Sequence, residues 1–154
     1  MAVLDKLMSK WKSDPDFKSL NEDQNQAVVD ALMAMIFSDS KLEPVEAKAF
    51  DHQVQQLPWR WAQDERAREK VIAAAREKVD ALSDTAAAEA FVQTVAQRLT
   101  AQGVREKVYK MCLAIAHADR QTHVNESRML TRLEKAFGID EARADALSAE
   151  VKRG

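Results

Sequence analysis

The chain has 154 residues, a formal net charge of −2 from 23 basic and 25 acidic side chains, and one cysteine. That length suits one domain with a sizeable core. The lone Cys112 excludes an internal disulfide, and the mixed charge argues against nucleic acid as a partner, which would need a basic face. Three glycines and three prolines are too few to punctuate a set of strands. Ala, Leu, Glu, Lys, Arg and Gln dominate instead, so the composition predicts an all-α fold.

Leu4, Leu7, Met8 and Trp11 recur at helical spacing and predict an amphipathic first helix over about 2–12, broken at Asp14-Pro15-Asp16. Asn21 with Gln24 has the form of a capping box and opens a second helix to about Phe37. Its stretch from Ala31 to Phe37 is apolar all round and should be buried all round. Pro44 suits the first turn of a third helix, with Ala47, Phe50, Val54 and Leu57 inward and Pro58 at its end. A charged helix follows over about 64–82, with Asp64 and Arg68 paired on its solvent face. Asp84 caps a helix to about Gln102, closed by Gly103. Arg105 to Ala118 is apolar nearly all round in its second half and holds Cys112, which reads as a small buried hydrophobe. Helices over about 124–137, closed by Gly138, and from the Asp140 cap to about Lys152 complete the chain.

Shifting the chain by 80 positions superposes two corners. Val28 meets Val108, Ala34 meets Ala114, Asp39 meets Asp119, and Glu46 meets Glu126. Each half has an apolar helix, then Asp, six residues, and a Glu that opens an amphipathic helix. Two such hairpins related by a pseudo-twofold would place the apolar helices at the centre of a compact bundle of about seven to eight helices.

The segment Ala114-Ile115-Ala116-His117-Ala118-Asp119, with Glu126, Leu130 and Phe137-Gly138-Ile139, resembles the signature of the TerB-like family. That family includes the tellurite-resistance protein TerB and the N-terminal domain of the membrane-anchored co-chaperone DjlA. The resemblance covers about 20–140 and implies one TerB-like helical domain, with 1–19 as an N-terminal helix and linker. The glycine usual after the motif's Asp is Ser40 in one half and Arg120 in the other.

The resemblance also implies a divalent-cation site at Asp39, Glu46, Asp119 and Glu126. Hard cations take six or more oxygens, so loop carbonyls, water or Glu43 would have to complete the set. His117 and His123 beside the second pair add imidazoles, which suit transition metals. The same positions have a plainer reading, in which Glu46 and Glu126 cap their helices and the two Asp residues bond their own loops. Trp59 and Trp61 around Pro58 either plug the gap between two helices or anchor a protein partner, and Trp11 with its helix faces the same choice.

No glycine loop cradles a phosphate, and no nucleophile has a base at motif spacing, so the reading is non-enzymatic. The expectation is a cytoplasmic, metal-responsive stress module of the TerB type with a protein partner, peripheral to a membrane complex at most. A metal-independent helical scaffold is the alternative.

Overall fold

The computed structural model describes residues 14–36, 50–52, 54–55, 57–82, 84–118 and 124–153, and their side chains except at 36, 115–118, 124–127 and 152–153. The helix expected over 2–12, with Trp11, lies outside them. The elements are α1 (Pro15–Lys18), α2 (Glu22–Ile36), a 3₁₀ turn η1 (Arg60–Gln63), α3 (Glu65–Asp80), α4 (Thr85–Arg98), α5 (Gln102–Ala118), α6 (Val124–Phe137) and α7 (Glu141–Arg153). Residues 50–52 and 54–55 are also helical, and the described residues contain no strand. The all-α class follows.

α2 is the axis of the bundle and packs on α3, α4, α5 and α6. Every residue from Ala27 to Met35 is buried, which widens the all-round apolar stretch read from sequence and includes one charged residue, Asp30. Its start is fixed locally. The Asn21 carboxamide accepts from the Gln24 amide at 2.8 Å, while the Gln24 side chain accepts from the Asn21 amide at 3.1 Å. This is the reciprocal box expected.

α5 is the second interior helix. Met111, Cys112, Leu113 and Ala114 are consecutive and buried, and α5 packs on α2, α6 and α7. Burial pushes the Cys112 thiol up, so it stays protonated and serves as packing. α2 and α5 start at one end of the bundle. Gln24, in the first turn of α2, donates to the Arg98 carbonyl just before α5. Lys107, early in α5, reaches Asp14 just before α1.

Two boundaries differ from expectation. α4 stops at Arg98 rather than Gln102, and α5 starts at Gln102 rather than Arg105. Arg105 explains both, because its guanidinium donates to the Leu99 and Ala96 carbonyls and so caps α4 from the following helix. Gly103 therefore lies in the first turn of α5, where an added Cβ would sit 3.8 Å from an Asp16 oxygen. Gly138 does close its helix, at φ +68. The Ile139 amide donates to Glu134 and the Gly138 amide to Lys135, a Schellman ending that buries Ile139.

The helix after Asp14 is a further difference, since Asp14-Pro15-Asp16 starts a turn rather than only ending one. Asp14 accepts from the Asp16 and Phe17 amides, Pro15 occupies N1, and Phe17 enters the core. Lys107 holds the same carboxylate at 2.6 Å and Asp16 at 3.2 Å.

Burial pushes the Asp14 carboxyl up, but the Lys107 hydrogen bond, the two amides and the lysine charge outweigh it and leave it below its usual value. For Lys107, burial pushes down and the bonds to Asp14 and Asp16 prevail, so it is raised. Asp14 therefore adds stability above its unfolded pKa that is lost as pH falls through its folded value. Lys107 adds stability below its own unfolded pKa that is lost as pH rises through its folded value. Asp14→Ala should cost about 1–2 kcal/mol at neutral pH through the lost cap and ion pair. In urea melts across the acid range, its deficit relative to wild type should shrink as pH drops. A deficit constant with pH would show that the Lys107 contact contributes nothing.

Candidate functional site

The cation site implied by sequence cannot be built from the described side chains. Asp39, Glu43, Glu46, Asp119 and His123 lie outside the described residues. His117 falls in the last turn of α5 and Glu126 in the first turn of α6, but their side chains are likewise outside. Among the described residues, no group of three or more His, Cys, Asp or Glu comes together as a metal site. In donor chemistry, the four carboxylates suit a hard divalent cation, with further oxygens needed to fill its shell.

Of the hairpins that would carry these groups, the second is described as a packed pair, α5 on α6. In the first, α2 is complete, and Phe50, Val54 and Leu57 are buried as the stripe required.

The tryptophan pair is resolved in detail. Trp59 is 4% exposed and its indole N–H donates to the Phe17 carbonyl at 2.8 Å. It stacks on Phe17 at 6.3 Å and on Trp61 at 5.7 Å between ring centroids. Trp59 thus ties the turn before α3 to α1 and has little surface to offer. Trp61 packs against the core edge and stays half-buried.

The sequence reading placed Arg68 on the solvent face with Asp64, and the structure corrects this. The Arg68 side chain is buried, donates to Asp51 at 3.0 Å and to the Ala62 carbonyl at 2.8 Å. A guanidinium has enough donors to satisfy both an acid and the carbonyl end of η1, so it is stable inside. It anchors α3 to the helical residues around Phe50.

The most concentrated charge in the interior was not read from sequence at all. Asp30, on the central helix, is 0% exposed. One carboxylate oxygen accepts from Lys78 of α3 at 2.8 Å and from Arg98 of α4 at 3.0 Å. The other accepts from Gln26 at 2.8 Å, and Gln26 also donates to the Val71 carbonyl at 2.9 Å. Arg98 reaches on to the Asp23 carboxylate at 3.1 Å and its carbonyl at 2.8 Å. The signal available was a single acid inside a run of nine residues that otherwise reads as core, with Gln one turn earlier. Both oxygens are hydrogen-bonded and the side chain is fully buried, so Asp30 offers no surface to a ligand. Its role is to orient three helices.

The geometry defines a class: a helical bundle wound round a central buried helix, with its interior charges paired to one another and to backbone carbonyls. The family model described as tellurite resistance protein TerB matches residues 25–149, and the chain belongs to that family. The family resemblance read from the Ala114–Asp119 segment is borne out. Searches of curated proteins and of solved structures found no match. No described helix is long and apolar enough to cross a membrane.

Removing both cations should leave a buried carboxylate uncompensated. Lys78→Met with Arg98→Met should cost about 3–5 kcal/mol in urea unfolding. Adding Asp30→Leu should recover a large part of that loss, since a hydrophobic replacement of a whole buried ion cluster is close to neutral. If the triple variant is no more stable than the double, the loss comes from packing rather than stranded charge.

Proposed function

We propose that this chain is a non-catalytic TerB-type module whose two acidic corners hold a divalent cation and whose occupancy modulates a protein contact in metal or tellurite stress. The corners supply Asp39, Glu46, Asp119 and Glu126, with Glu43, His117 and His123 as further donors. The observation that carries the reading is the common start of α2 and α5. Two packed interior helices begin at one end of the bundle and stop at Ile36 and Ala118, and in sequence each is followed by one of the two acidic motifs. Family membership over 25–149 spans both motifs. Carboxylate oxygens from two corners, with carbonyls and water, suit a hard cation better than either pair alone. A metal-independent scaffold is the competing function, and the half-exposed Trp61 beside the locked Trp59 gives it a surface.

Divalent ions should raise the thermal midpoint, because a ligand that binds only the folded state stabilises it by about 2.7 kcal/mol at 100 times its Kd. For a chain of this length that corresponds to a rise of several degrees, at about 2–4 °C per kcal/mol. Mg²⁺, Ca²⁺, Mn²⁺ and Zn²⁺ at millimolar concentration make the test, and Asp39→Ala with Asp119→Ala should abolish the shift. Indifference to all four ions would transfer the assignment to the scaffold.

A further inference from the structure

Away from the acidic corners, α4 and α6 pack together and leave a half-open groove of about 380 Å³ between them. Its α4 wall is made of Ala86 and Ala90, both exposed, with Glu89, Val92 and Gln93. Its α6 wall carries Arg132 and Lys135. Arg128, exposed one turn before Arg132, continues the same stripe at i, i+4 and i+7. None of these three cations has a hydrogen-bond or ion-pair partner among the described residues, which leaves their charges open to an incoming group.

We propose that this groove docks an acidic helical segment of a protein partner. The alanines carry only a Cβ, so a second helix can lie close against α4 with its small or aliphatic side chains in the recess. Arg132 and Lys135 on the rim, with Arg128 one turn beyond it, stand against the single Glu89; they select carboxylates on the incoming helix and leave one site for a basic residue. The apolar floor lies within a cleft, and a flat bilayer would meet the basic rim without filling it. The proposal does not use the corner carboxylates and stands or falls apart from the cation reading.

The test is fluorescence anisotropy with a labelled helical peptide carrying Glu on one face and Ala and Leu on the other, beside its Lys-for-Glu counterpart. The acidic peptide should bind and weaken as salt rises, and the basic one should not bind. Arg132→Glu with Lys135→Glu should weaken binding by about tenfold or more. Ala90→Trp, which fills the recess without changing charge, should weaken it as well and serves if the charge variant does not fold. No binding of the acidic peptide, or equal binding by wild type and both groove variants, would overturn the proposal. So would charge-dependent binding to phosphatidylglycerol vesicles that Ala90→Trp leaves unchanged, because it would assign the stripe to a lipid surface.

Discussion

The structure depends on a carboxylate that has no access to water. Asp30 sits midway along α2, on which α3, α4, α5 and α6 pack, at a point where nine successive residues are buried. An isolated charge there would cost several kcal/mol, comparable with what two or three buried Leu or Met side chains contribute. The cost is met by geometry. Lys78 comes from α3, Arg98 from α4 and Gln26 from one turn back on α2. An apolar helix presents similar surfaces in every direction and can slide or rotate among its partners at small cost. A carboxylate that must meet two cations from two helices allows one rotation and one register. The cluster therefore contributes more to uniqueness than to net stability.

The consequence extends to the chain's other interior helix. Arg98 ends α4, and its carbonyl accepts from Gln24 while its guanidinium donates to Asp23 and Asp30. Leu99 and Ala96 then hand their carbonyls to Arg105, within α5. One short stretch, from 96 to 105, thus sets the end of α4, the start of α2 and the start of α5 together. Lys107 extends the tie to Asp14, and Trp59 extends it to Phe17. This end of the bundle is cross-linked by polar contacts. At their other ends α2 and α5 stop at Ile36 and Ala118.

Local signals were legible wherever a side chain acts on its own backbone. The Asn21–Gln24 box, the Asp84 and Asp140 caps and the Gly138 ending all stand where spacing put them. The apolar stripes were also legible, because burial follows period. Polar groups that act across the fold were not. Arg68, Arg98 and Arg105 look like surface residues of charged helices, and nothing in their spacing reveals the carbonyls and acids that meet them. Asp30 was passed over because a single acid does not disturb an apolar pattern. The boundary at 99–101 was missed for the same reason, since its cap is a distant guanidinium rather than a glycine. For the candidate cation site, the sequence offers the residue types through family likeness, and whether two corners meet is a tertiary property that no window of sequence contains.

The near-zero net charge conceals a division on the two C-terminal helices that bears on how the surface works. Arg128, Arg132 and Lys135 occupy one face of α6. On its other side, Glu134 accepts from the buried Tyr109 hydroxyl and is near Asp145 and Glu141 of α7. Burial raises the Glu134 carboxyl, and the two acids add to that against the Tyr109 bond that lowers it. Its linkage has the opposite sign to that of Asp14. Glu134's relative contribution is fullest below its unfolded pKa and is lost as pH rises through its folded value, so the neutral fold carries a small cost there. That cost is maintained on a helix whose opposite face holds three cations without described partners. The basic stripe and the acidic group around Glu134 thus lie apart on α6, and an acidic partner helix of the kind proposed would meet the first without the second.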